Sequence, residues 1–270
     1  MKIVSWNVNS VKARKPLLKK LIEEFSPEVI CLQETKTDNN SFPANFFETK
    51  NYKCCINGMR SYNGVAIISK EQPSDFVCHD YCEKNDARHI EVEIGGYKIH
   101  SVYVPAGGDE PNAATNKKFH HKLDFLDRLS EFVADRKNDK MVLCGDLNVA
   151  PYEDDVWSHK QLKNVVSHTD IERQKLLKIM KNGNMHDMIR KFINPPHNIY
   201  TWWSYRSPNF KINNRGRRLD HIWCSELASI NVINAKILDK FRSDERPSDC
   251  LLYTSPSPRD LWISRMPSSA

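Results

Sequence analysis

The sequence predicts a single α/β domain in which strands and helices are mixed along the chain and some neighbouring strands are joined by hairpins. Three observations carry this expectation. "KIVSWN" at the N-terminus alternates and is β-branched, and "KPLLKKLIEEF" after it places Leu17, Leu18, Leu21, Ile22 and Phe25 on one helical face. "HIEVEI" and "YKIHSVYV" are separated by Gly95-Gly96, the two-residue signature of an antiparallel hairpin. "NKKFHHKLDFLDRLSEFVADR" sets Phe119, Leu123, Leu126, Leu129 and Phe132 or Val133 at helical spacing, and "KMVLCGDLN" then returns to a buried strand. A purely parallel, doubly wound sheet fits the hairpin poorly.

The remaining elements follow the same alternation. "PEVICLQE" and "GVAIIS" read as buried strands, "RQKLLKIMKN" as a helix ended by Gly183, and "RRLDHIWCS" as a strand. At 270 residues the chain exceeds the usual domain of ~100–200, but no composition break or repeat divides it. A content of 40% hydrophobic and 27% charged residues belongs to a water-soluble globular protein with a full core. "MKIVSW" lacks the apolar core of a signal peptide, and no apolar run reaches the ~18 residues of a membrane span, so the expected location is the cytoplasm, with no membrane partner. The eight cysteines include no CxxC pair; Cys31 and Cys144 sit inside apolar runs, and structural zinc is not expected.

Several strands deliver an acid or amide at their end: Asn7 after "KIVSW", Glu34 after "VICLQ", Asp146 and Asn148 in "VLCGDLN", Asp220 after "RRL". Each alone also reads as a loop cap or turn former. Together, at one rim of a sheet, they are a set of oxygen ligands without His/Cys clusters, which is what a hard ion such as Mg²⁺ requires. Such a site suits phosphoester hydrolysis, in which the ion neutralises phosphate charge while a base activates water.

The net charge of +6 suggests an acidic partner, nucleic acid first, although a solvated basic surface accounts for it equally well. "YTWWSYRSPNFKINNRGRR" interleaves Trp202, Trp203, Tyr205 and Phe210 with Arg206, Lys211, Arg215, Arg217 and Arg218, a combination that grips a phosphate backbone and presents faces to bases or sugars. It also reads as an irregular, partly buried loop. "NSVKARK" adds Lys12, Arg14 and Lys15 more weakly.

Taken in order, "SWNVNSVKAR", "LQETK", "YVPAGG", "GDLNVAP", "NRGRRLDHIW" and "RPSD" resemble the exodeoxyribonuclease III family of abasic-site endonucleases over about residues 1–249. The resemblance implies the four-layer α/β sandwich of the endonuclease/exonuclease/phosphatase superfamily: two mixed β-sheets packed face to face with helices outside, the DNase I-like fold. It implies cleavage of duplex DNA 5′ to abasic sites with Mg²⁺, Mn²⁺ being the alternative ion, and nothing in the sequence demands more than a monomer. It also implies 3′→5′ exonuclease action and repair of blocked 3′ ends, within base excision repair. On this resemblance Glu34 is the principal metal ligand with Asn7 beside it, and Asp146 orients or deprotonates the attacking water. Asn148 holds a phosphate oxygen within the metal site, and Tyr103 assists the phosphate or leaving group. Asp220 orients a histidine that the family places near the chain's end, and Asp249 is a further metal-site carboxylate. Lys36, Arg14, Trp202, Arg206 and Arg217 contact DNA, with Trp202 as the wall of the pocket for the flipped abasic sugar. A phosphatase or phosphodiesterase of the same fold, and a binder of damaged DNA without activity, are the alternatives.

The family pattern after "SD" is histidine followed by a short final strand; here Cys250 stands in that place. "LLYTSPSPRD" resembles translated sequencing-adapter DNA, and Pro256 and Pro258 do not suit a central strand. The expectation is a domain over residues 1–249 lacking its last strand, followed by a non-native, disordered tail over 250–270 and little activity in the chain as written. A genuine tail on a diverged enzyme is the competing reading.

Overall fold

The computed structural model describes residues 1–204, 210–238, 249–255 and 259–265, with residues 210–211 and the last two stretches described by their backbone. The first sheet contains β1 (Ile3–Asn7), β2 (Val29–Gln33), β3 (Lys53–Asn57), β4 (Val65–Ser69), β13 (Asn234–Leu238), β14 (Asp249–Ser255) and β15 (Arg259–Arg265), in the order β13-β14-β15-β1-β2-β4-β3. β1 runs parallel to β2 and β15, and the other pairings are antiparallel.

The second sheet is built from β5 (Asp75–His79), β6 (His89–Ile94), β7 (Tyr97–Tyr103), β8 (Met141–Asp146), β9 (Met185–Asp187) and β12 (Asp220–Ser225), in the order β5-β6-β7-β8-β12-β9. β7 and β8 are parallel; the hairpin of β6 and β7 turns at Gly95-Gly96 as the sequence predicts. A ribbon of β10 (Trp202–Trp203) and β11 (Gly216–Arg217) stands apart.

Side-chain alternation makes four layers from these sheets. Ile3, Val29, Cys31 and Ile67 of the first sheet meet Ile90, Ile99, Val142 and Ile222 of the second in one shared core. Val4, Trp6, Ile30 and Leu32 point the other way, onto Leu18, Leu21 and Ile22 of the helix Lys15–Phe25. Val102, Leu143 and Trp223 on the far side of the second sheet pack against the helices Lys117–Ala134 and Asp170–Asn182. Strands buried on both faces read as continuous apolar runs, which is why "VICLQ" and "MVLCGD" are so uniformly hydrophobic. Each fully buried aliphatic side chain contributes ~1.5–3 kcal/mol. The two long helices on the second sheet start cleanly: Asn116 accepts from Lys118 and Phe119 amides, and Thr169 forms a capping box with Glu172.

Past β13 the sheet continues in β14 and β15. Their backbones pair with each other from Asp249↔Arg265 to Ser255↔Arg259, and β15 lies beside β1. "LLYTS" and "LWIS" carry β-branched and aromatic residues that favour extended backbone, so a strand is available there despite the neighbouring prolines. Pro256 and Pro258 lie outside the described residues. Among the described residues no helix is long and apolar enough to cross a membrane.

Candidate active site

The fold gathers the strand-end polar residues at one rim. Tyr103 closes β7 and stands opposite Asp146, the last residue of β8, which in turn stands opposite Asp220. Asp220 is the first residue of β12, not its last; because β12 runs antiparallel to β8, its start reaches the same rim. From the other sheet, Asn7 ends β1 and Glu34 follows β2 directly. The Asn7 side-chain amide donates to Glu34 Oε1 at 2.8 Å and to Asp146 Oδ2 at 2.9 Å, joining the two sheets at their edge. Asn7, Glu34, Asp146 and Asp220 are all buried.

Tight loops hold these groups. Glu34 (φ 51°), Lys36 (φ 54°) and Asn148 (φ 53°) occupy the left-handed region, an unfavourable setting for residues with a side chain that costs of order 1–3 kcal/mol each unless the surroundings enforce it. Enforcement comes from backbone pairs: Val8 N–H to Gln33 O at 3.0 Å, Ser10 N–H to Glu34 O at 2.8 Å and Thr35 N–H to Gly64 O at 3.0 Å. The Asn148 backbone amide donates to Asp146 Oδ1 at 3.0 Å, and its side-chain amide donates to Val104 O at 2.8 Å. Gly145 precedes Asp146 at φ +143°, where a Cβ would lie 2.0 Å from Val102 O; the glycine of "CGD" lets β8 approach β7 closely enough to form this row.

Positive charge lies on the acids. The Lys36 ammonium is 3.1 Å from Glu34 Oε2 and also donates to Asn9 Oδ1. The Arg88 guanidinium lies 4.8 Å from the Tyr103 ring centre, and Tyr103 N–H donates to Arg88 O at 2.7 Å. The two carboxylates offer oxygens that fit a hard divalent ion keeping waters and taking phosphate as its other ligands, while Asn7 turns its amide nitrogen to both acids and its Oδ1 accepts from the Asn9 amide at 3.1 Å. Among the described residues no group of three or more His, Cys, Asp or Glu side chains forms a self-sufficient metal cage. Asp249 shares the backbone row of Asn7, with Arg265 between them, roughly 10 Å across two strand spacings; its side chain is outside the description.

The expected DNA-contacting residues divide. Trp202 pairs with Arg217 across the ribbon, and the Arg217 guanidinium lies 5.2 Å from the Trp202 ring centre. That ribbon adjoins the acidic rim, since Thr201 Oγ1 accepts from the Leu219 and Asp220 amides at 2.9 and 3.1 Å. Arg14 immediately precedes the helix Lys15–Phe25, next to Val11, whose amide donates to Thr35 O. Arg206 lies outside the described residues. Arg218 is corrected: it is wholly buried, with Nε and Nη2 each 2.9 Å from the Asp155 carboxylate and Nη1 2.6 Å from Asp187 Oδ2. Burial alone would raise the Asp155 carboxyl, but Arg218 and Arg190 beside it hold it below its ordinary value. Sequence reasoning missed Asn9, Arg88 and Lys122, because a lone polar residue in a loop or on a helix carries no periodic signal.

The model of the endonuclease/exonuclease/phosphatase family matches residues 4–249. This chain belongs to that family. Exodeoxyribonuclease III of Haemophilus influenzae is 28% identical over 264 residues, covering 92% of this chain and 97% of that protein. Among solved structures, an AP endonuclease from Archaeoglobus fulgidus superposes with a TM-score of 0.82 at 32% identity, covering 89% of this chain and 92% of that one. The 3′–5′ exonuclease of Neisseria meningitidis gives 0.85 at 28% identity, covering 99% of this chain and all of that one, 100%. The resemblance to the exodeoxyribonuclease III group and the four-layer fold are therefore established, and the chain is a hydrolase of this nuclease type. The group is metal-dependent, typically on a divalent cation.

Proposed function

We propose that this protein is a DNA-repair phosphodiesterase that cleaves duplex DNA 5′ to abasic sites in the presence of Mg²⁺, and that it also trims and repairs 3′ ends. The observation that carries the reading is the Asn7 amide held between Glu34 and Asp146, with Tyr103 and Asp220 in the adjoining row. Glu34, Asn7, Asn148 and Asp249 would hold the ion, which supplies charge neutralisation at the phosphate when bound.

The chain's own groups account for the rest of the hydrolysis. The Asp146 carboxylate orients a water for in-line attack and takes up its proton as the new P–O bond forms. The Tyr103 phenol would give its proton to the departing 3′ oxygen, which leaves as a hydroxyl, and the phenolate would recover a proton from water. Asn7 keeps the two carboxylates apart and fixed, so no reorganisation is needed during the reaction. Trp202 and Arg217 form the wall and cation beside the extruded sugar, where a missing base lowers the cost of leaving the stack. The substrate is duplex DNA with abasic sites or blocked 3′ ends, acted on by a monomer in the cytoplasm.

A second reading has its own observation. Cys250 stands where the resembling family has histidine, and a thiol with ordinary pKa near 8.5 is a weak donor at neutral pH, so the chain as written would bind damaged DNA and cut it slowly. We propose that residues 250–270 are not native to this domain, from their likeness to adapter-derived sequence.

A labelled duplex with one tetrahydrofuran abasic site separates these readings. Cutting 5′ to the lesion that EDTA stops supports the repair phosphodiesterase. A Cys250→His change that raises the rate by about 10²–10⁴ supports the second reading for the chain as written. No cutting by either form, with preference for a small phosphomonoester that duplex DNA does not compete away, contradicts the DNA assignment.

A further inference from the structure

The helix Lys117–Ala134 directs one charged residue into the interior. Lys122 is 0% exposed, and its ammonium lies 2.5 Å from Glu172 Oε1. It also donates to Asn148 O at 2.8 Å and Ala106 O at 3.3 Å. An ammonium has three N–H donors, and here each has an acceptor.

Each acceptor belongs to a different working segment. Asn148 lies in the turn that leaves β8 at Asp146, and Ala106 lies in the loop after Tyr103. Glu172 accepts from the Ser167 amide at 2.9 Å, the Thr169 amide at 3.1 Å and the Thr169 hydroxyl at 2.6 Å. The Ser167 segment in turn supports Arg217, whose Nη1 donates to Val166 O at 3.0 Å and Ser167 Oγ at 2.7 Å. Gly107 of "PAGG" has φ +92°, and a Cβ there would stand 2.9 Å from Lys122 Cδ. That glycine leaves room for the lysine stem.

A buried ion pair is weak support for stability, since apolar groups of similar volume often do as well. Its output here is geometric. We propose that Lys122 is a positioning residue: it fixes the Asp146–Asn148 turn against the Tyr103 loop and, through Glu172, ties both to the shelf that holds Arg217. This rests on the reading of Asp146, Asn148 and Tyr103 as the hydrolytic group.

The test uses the full chain and its Cys250→His form, each with the Lys122→Met/Glu172→Gln double change, which removes both charges without leaving one uncompensated. Two experiments are run: hydrogen exchange at the Leu147 and Asn148 amides, and steady-state kinetics giving kcat and KM on an abasic duplex. The expected double variant unfolds cooperatively, exchanges at Leu147 and Asn148 at least about tenfold faster while Val142 and Leu143 keep their protection, and loses about 10²-fold in kcat with KM within about threefold.

Glu172→Gln alone keeps the ammonium on both carbonyls. It is expected to raise KM several-fold through the Arg217 shelf, with exchange at Asn148 close to that of the parent, and it serves as the deciding variant should the double change not fold. Unchanged exchange and kcat in a folded double variant, or a kcat loss and Asn148 exchange in Glu172→Gln as large as those expected of the double change, overturns the role of Lys122. If neither parental form cuts abasic DNA, the functional reading fails; exchange confined to the turn still upholds the positioning role, and unchanged exchange removes it.

Discussion

Asn7 on one sheet donates to the Asp146 carboxylate on the other at 2.9 Å, while the same amide nitrogen lies 2.8 Å from Glu34. One neutral side chain thus spaces two acids that would otherwise repel across the seam between the sheets. Asn7→Ala is expected to lower kcat by about 10²–10³, the scale of losing one preorganised donor, with DNA affinity nearly unchanged. Steady-state incision of an abasic duplex checks this; an unchanged kcat would mean the bridge is incidental.

Arg218 offers a contrast, since its charge is spent inside the protein. Arg218→Met leaves Asp155 and Asp187 buried with less compensation and is expected to cost about 3–5 kcal/mol, read from denaturant midpoints. A loss below about 1 kcal/mol would indicate that Arg190, also on Asp155, compensates fully.

Arg217 and Trp202 should behave differently from Arg218. Trp202→Ala is expected to weaken abasic-duplex binding by about 1–3 kcal/mol, and Arg217→Gln to reduce the salt dependence of binding by about one phosphate contact. Titrations across KCl concentration read both effects; identical salt slopes would remove Arg217 from the DNA interface.

Acid should destabilise the fold through two buried imidazoles. His89 Nε2 and His100 Nδ1 are 3.0 Å apart, and Tyr81 OH lies 2.9 Å from His89 Nδ1. Burial, reinforced by the repulsion that His100, His79 and Arg136 would exert on a second charge, pushes His89 well below its ordinary value; burial, outweighing the attraction of Glu91, takes His100 down to about 3. In the unfolded chain both titrate near 6.5, so below that pH the unfolded state binds protons that the native state refuses. Stability should therefore fall as the pH drops below ~6.5, His100 contributing down to about pH 3 and His89 acting in the same direction. Urea midpoints at pH 7.5 and pH 5 measure this; equal midpoints would contradict the neutral native pair.

The sequence showed those parts of the fold whose signal is local. Both long helices, the Gly95-Gly96 hairpin and the central strands read directly, because their faces are buried in register with their own periodicity. β5, with its exposed Phe76 and Val77, has no clean inward face, and β9 to β11 are too short for a pattern. In the site, Asn7, Glu34, Asp146 and Asp220 were legible as polar ends of apolar runs. The bridge between sheets, the burial of Arg218 and the place of Lys122 depend on contacts between residues far apart in sequence, which spacing does not report.

Asp146→Asn is the most direct test of the central claim that this rim hydrolyses DNA. The measurement is incision rate and binding of the same abasic duplex, side by side, in Mg²⁺ with the Cys250→His form as parent. Binding should stay within about threefold of the parent while the rate falls by about 10³ or more, because the amide still accepts a hydrogen bond but takes no proton from water. A variant that binds and cuts like its parent would contradict it.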